Sequence, residues 1–158
     1  MTPITPIVRA EASQAMLVWM LGVQADAVER IDSGPGPMTD RGLIRRSLGV
    51  EGPTIRGDVI EGEVQATAAH ALYAHEGRRP GKPPPTRPLR EWAERKLGAS
   101  ADEARSVGFL VARAIGRRGT NGNPFLREPF EAALPRLFSS LADAVARGVA
   151  KSFPPQTI

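Results

Sequence analysis

Apolar residues recur at three- and four-residue spacing between positions 9 and 31. Met16, Met20, Val23, Ala27 and Ile31 form one line, and Leu17, Leu21 and Val28 widen it. This period predicts a helix whose broad stripe faces the core, with room to pack on a neighbouring subunit as well. Ser33-Gly34-Pro35-Gly36-Pro37 ends the pattern in a loop. Residues 41–48 fit one or two helical turns. From 48 to 73 the stripe disappears, glycine interrupts at 49, 52, 57 and 62, and Val59, Ile60 and Val64, then residues 68–73, suggest two or three strands joined by short turns. In that register Tyr73 ends a strand with its ring buried and its hydroxyl at the surface.

Helical spacing returns in the second half. Residues 88–97 carry Leu89, Trp92 and Leu97, and Gly98 supplies a stop. Ser100 and Glu103 form a capping box for a helix reaching Arg118, with Ala104, Val107, Val111, Ala114 and Ile115 as its buried side. Arg117 and Arg118 in its last turn suit the helix dipole. A final helix aligns Phe130, Leu134, Leu137, Leu141, Val145 and Val149, and Pro135 should kink or restart it. The expected fold is therefore one α+β domain over residues 1–158. It has a small, mostly antiparallel sheet packed against N-terminal and C-terminal helices, and short proline-containing extensions at 1–8 and 153–158.

Composition narrows the classes. A chain of 158 residues is long enough for one cored domain. Cysteine is absent, which excludes disulfides and thiolate metal sites and fits a reducing cytoplasm. The longest apolar run, residues 15–22, is too short to span a bilayer, so a soluble intracellular chain is expected. Net charge is only +4, from 21 basic and 17 acidic residues. The basic residues cluster: Arg41, Arg45 and Arg46; Arg78 to Arg90; and Arg113, Arg117 and Arg118. Each cluster is either solvated surface or a contact for DNA phosphate or an acidic protein ring. Few aromatics interleave with the arginines, which argues against stacking on single strands.

The most informative segment is Tyr73-Ala74-His75-Glu76-Gly77-Arg78-Arg79-Pro80-Gly81-Lys82-Pro83-Pro84-Pro85. Pro80, Pro83, Pro84, Pro85 and Pro88 hold the chain extended, while five basic side chains and no acid lie between Gly77 and Arg90. A stiff charged loop loses little entropy on docking, so His75, Glu76, Arg78, Arg79, Lys82 and Arg87 are the candidate partner-docking residues. Arg41, Arg45 and Arg46 are candidate contacts to a DNA channel or an adjacent ring.

Catalytic candidates are few. His70 and His75, five apart on an expected strand, should face opposite ways and cannot form a simple metal pair. No serine sits in a nucleophile elbow. Gly77-Arg78-Arg79-Pro80-Gly81-Lys82 imitates a phosphate loop but has three residues between its glycines, and Pro83 stands where a magnesium-binding hydroxyl belongs. The prolines also remove the amide donors that a phosphate needs. No cofactor and no enzymatic activity are expected.

The proline loop, the Trp92 helix after it, the later Arg117-Arg118-Gly119-Thr120 with Pro124-Phe125, and upstream Thr39-Asp40-Arg41-Gly42-Leu43-Ile44-Arg45-Arg46-Ser47-Leu48 together resemble a bacteriophage family. This is the neck, or tail-completion, family of long-tailed phages, related to prophage minor tail protein Z. The resemblance spans residues 38–134, with Asp-Arg-Gly replacing the family's shorter Thr-Gly step. It rests on the order and spacing of these motifs together. It implies a virion structural protein forming a head–tail joining ring around the DNA channel, six-fold like the tail tube or twelve-fold like the connector. It further implies copies of itself, the connector or stopper ring, the tail terminator or first tube ring, and passing double-stranded DNA as partners. The protein would sit in the virion neck after a period in the host cytoplasm. The rival reading is a small basic double-stranded-DNA-binding module of non-phage function.

Overall fold

The computed structural model describes residues 6–33 and 42–153. It consists of α1 (Pro6–Ser33), α2 (Leu43–Ser47), β1 (Leu48–Arg56), β2 (Val59–Ala66), α3 (Ala71–Glu76), β3 (Gly77–Arg78), α4 (Thr86–Leu97), α5 (Ala101–Arg118), β4 (Thr120–Asn121) and α6 (Arg127–Ser152). The fold is α+β, with small antiparallel sheets and helices at both ends. No helix among the described residues is long and apolar enough to cross a membrane.

Helix α1 is the central element. Its stripe supplies Met20, Val23, Ala27 and Ile31 to the core, and each is essentially inaccessible. One side of α1 carries the β1–β2 hairpin, whose strands pair Leu48 with Ala66 and Val50 with Val64. The register shifts between Glu51 and Thr54, where Gly52-Pro53 forms a bulge. Gly62 faces α1 and leaves the space that the Met20 and Met16 side chains fill. Another side of α1 carries α6. There the Trp19 indole N–H donates to the Ala133 carbonyl at 2.8 Å, and the Trp19 and Phe130 rings meet edge to face at 5.3 Å. Most of the N-terminal stripe is thus used within the chain, and of its members only Leu21 is exposed.

Two expected helix faces are rotated. In α6 the buried positions are Pro129, Ala133, Ala144 and Gly148, while Phe130, Val145 and Val149 are exposed and Leu134, Leu137 and Leu141 are half-buried. In α5 they are Ala104, Gly108 and Ala112, with Val107, Val111 and Ile115 half-buried and Ala114 exposed. The cause is the same in both. A seam of small residues lets the partner backbone approach closely, and the larger residues are displaced to its flanks. A single helix passes through Pro135, with no restart.

Two elements differ from the sequence expectation. Residues 68–73 do not form a third strand, because Ala71-Leu72-Tyr73-Ala74-His75-Glu76 folds as α3. The segment holds no β-branched residue and is rich in alanine, so helix propensity wins. Tyr73 is consequently 62% exposed and not buried. At the N-terminus, α1 begins at Pro6, inside the segment expected to be an extension. The proline-containing tail beyond Phe153 lies outside the described residues.

The remaining elements form an antiparallel arm. Helix α4 closes at Gly98, which adopts the left-handed conformation with φ 64°, and α5 opens on Ser100. The Ser100 amide and hydroxyl both donate to one Glu103 carboxylate oxygen, at 2.9 and 2.7 Å, completing the capping box and holding that carboxyl below its ordinary pKa.

The arm meets the body at Phe125, which is 1% exposed and packs with Ala27, Ile31, Ile44, Leu48 and Ala71. Phe125→Ala should therefore cost about 3–5 kcal/mol, the usual result of emptying a buried aromatic site. Gly148→Ala should cost about 1–3 kcal/mol, because its new methyl would fall 2.7 Å from the Val8 Cα. Urea denaturation measures both; a G148A protein as stable as the parent would contradict the close α1–α6 seam.

Candidate docking surface

The basic loop is built by three neighbouring elements. Helix α3 ends at Glu76, β3 follows at once and pairs with β4 (Gly77 with Asn121, Arg78 with Thr120), and residues 79–85 then run to α4. The loop is therefore flanked by a two-residue strand and a helix. His75 and Glu76 belong to the last turn of α3 and not to the loop itself. The His75 ring lies edge-on to Phe125 at 5.1 Å, and Glu76 lies between His75 and Arg127 at 3.4 and 3.9 Å. Burial pushes the His75 imidazole below its ordinary pKa, and the Glu76 carboxylate partly opposes that shift. His75 is thus a packing residue. His70 lies just before α3, outside the helix that carries His75. Among the described residues no three His, Asp or Glu side chains are placed to hold a metal ion.

The loop backbone is fastened to the end of α5. Gly81 N–H donates to the Gly116 carbonyl at 2.8 Å, and the Arg78 guanidinium donates back to the Lys82 carbonyl. Gly116 permits this approach, since a Cβ there would lie 2.9 Å from Pro83 and 3.1 Å from the Gly81 carbonyl. Gly119, at φ 73°, turns the chain from α5 into β4 directly against the Arg78 carbonyl, where no larger residue fits. Pro85, with φ −56° and ψ 135°, is in the polyproline II region and leads into α4.

Two of the three basic clusters are thereby merged. Arg79 and Lys82 of the loop lie beside the α5 end that carries Arg117 and Arg118. Neither Arg79, Lys82, Arg113, Arg117 nor Arg118 forms an ion pair with any described residue. Arg87 differs, being paired to Glu91 one helical turn on at 3.1 Å. The third cluster lies apart. Arg45 is paired to Asp32 at 3.0 Å, and Arg46 lines a groove with Ser47, Thr67 and His70. Arg41 lies outside the described residues.

Asn123 has a positioning role that its sequence context did not suggest. Its backbone N–H donates to the Ala74 carbonyl at 2.9 Å. Its side-chain oxygen accepts from Arg30 Nε at 3.2 Å, and its amide nitrogen donates to the Arg30 carbonyl at 3.4 Å. It is buried and bridges α1, α3 and the arm. The Asn121-Gly122-Asn123-Pro124 run signals a turn, but nothing in it marks which asparagine is inside.

The chain matches no family model, and no characterised protein or solved structure is significantly similar to it.

Two measurements probe the surface. An exposed helix glycine gains about 1 kcal/mol on replacement by alanine. Gly116→Ala should forfeit that gain and release the Gly81 amide to faster hydrogen exchange; unchanged protection would contradict the docked loop. The lowered His75 pKa favours the neutral ring in the folded state. Its contribution to stability is complete above pH ~6.5 and is lost as pH falls through the lowered folded value. Thermal midpoints should fall as the pH drops below that limit, and fall less in His75→Gln. Equal falls in both proteins would contradict this assignment.

Proposed function

We propose that the protein is a structural component of a phage or phage-like neck, forming a ring that joins the DNA-filled head to the tail. The observation that carries this reading is the basic surface, without ion pairs among the described residues, where a proline-framed loop is fastened to the end of α5. Such a surface is preorganised for another macromolecule, and its cations Arg79, Lys82, Arg117 and Arg118 have no ion pair among the described residues. The order and spacing of the motifs that resemble tail-completion proteins supply the biological setting. The partners would be copies of itself, a connector or stopper ring, a tail terminator or tube ring, and the duplex DNA in the channel. No turnover is expected, so nuclease, ATPase and peptidase assays should read background. Activity that survives repurification and is lost in His75→Ala or Glu76→Ala would overturn that part of the reading.

The same cations would serve the rival, a basic module for double-stranded DNA. The isolated monomer would then bind duplex DNA with a steep salt dependence. A neck protein instead acts in the particle. Neighbouring genes for a portal or a major tail protein are expected.

In such a particle, reversing charge at Arg79 and Lys82, both exposed, should leave the fold nearly intact, since exposed charges contribute under ~1 kcal/mol each. Replacing Pro83, Pro84 and Pro85 by glycine should cost docking on the order of 1 kcal/mol per freed residue. Both variants should give filled heads and separate tails with few joined particles. Joining at the parental frequency would remove the loop from the docking role.

A further inference from the structure

The outer face of the β1–β2 hairpin has the opposite character to the loop. Gly62 faces α1, so the alternate positions Glu61 and Glu63 of β2 point away from it, and both are exposed. Glu51 of β1 lies directly across from Glu63, and Thr54 lies across from Glu61. Like charges at a directly opposed pair destabilise a two-stranded sheet. The chain tolerates this one with little relief. Gln65 donates to Glu51, Arg56 reaches Glu61 only at 3.7 Å, and Glu63 has no ion pair among the described residues. Arg9 is engaged with Asp58 at the hairpin turn, 2.6 Å away.

Two unmet electrostatic demands therefore occur in one molecule, on different elements. The hairpin packs on α1, whereas Arg79, Lys82, Arg117 and Arg118 sit where the 79–85 loop meets the end of α5. We infer that the carboxylate face of the hairpin in one copy docks onto the basic loop surface of the next copy. The occupant is a second copy because its charge pattern complements this surface, and because each half of the contact is incomplete alone. Two different patches meeting in this way make a head-to-tail interface, which propagates from copy to copy and closes into a ring when the rotation permits. This inference rests on the ring proposed above and names the contact that builds it.

The absence of cysteine makes the contact directly testable. Chains carrying only Glu63→Cys or only Arg79→Cys, distinguished by a size tag, are mixed and treated with a short thiol-to-thiol cross-linker. The expected product is the mixed dimer, suppressed at high salt. A Glu63–Glu63 product of equal or greater yield would mark sheet edges pairing about a two-fold axis. No cross-link would mark DNA or another protein as the loop's occupant. Either result overturns the inference.

Charge exchange gives a second reading. Chains with Glu61→Lys and Glu63→Lys, or with Arg79→Glu and Lys82→Glu, should each self-associate at least about tenfold more weakly, because reversal places like charges face to face. Mixing the two should restore association. Restoration that fails in the mixture overturns the pairing even if each variant is monomeric. All of this is read on purified protein. A cross-link without any joining defect in particles would sink the neck reading alone, and a joining defect without the cross-link would sink only this one.

Discussion

The architecture depends on the burial of one side chain, Phe125, at the point where the two parts of the chain meet. Ala27 and Ile31 of α1, Ile44 of α2, Leu48 of β1 and Ala71 of α3 all converge on it. Burying an aromatic ring of this size contributes more than any of the surface ion pairs distributed over the molecule. The Asn123 hydrogen bonds beside it add direction to a non-directional force, since they fix which way the arm leaves the body. Once Phe125 is seated, β4 must lie beside β3, and the loop after β3 must pass the end of α5. The candidate docking surface is a geometric consequence of that anchor.

Close backbone approach is the second theme. Ala133, Ala144 and Gly148 face α1, while Ala104, Gly108 and Ala112 lie on the buried side of α5, where Gly108 meets Arg90 and Thr86 of α4. Seams of this kind give dense contact with little side-chain entropy to lose. They also leave large residues outside, including Phe109, Leu110, Phe138 and Phe153. Isolated apolar residues at a surface are ordinary.

Much of the helical framework was legible because its signals are local. The period of α1, the Ser100–Glu103 capping box and the glycine stop at 98 each act within a few residues of chain, and each sits where expected. Residues 68–73 were misread because alternation in a short alanine-rich run carries no contrast between the two periods. The rotated faces of α5 and α6 follow from the same weakness, since hydrophobicity ranks valine above glycine whereas close packing prefers glycine. The basic and proline-rich character of the loop was plain from composition. Its union with Arg117 and Arg118 was not, because that contact runs through the Gly81 amide and the Gly116 carbonyl, which carry no side-chain signature.

The central claim is that a stiff, basic loop fastened to the end of α5 serves a repeated assembly at a head–tail junction. Imaging that junction in joined particles by electron cryo-microscopy tests it most directly. The account predicts a closed ring of this chain around the DNA channel, with Arg78, Arg79 and Lys82 buried against protein. A junction without this chain, or a ring whose loops all face open solvent, would contradict it.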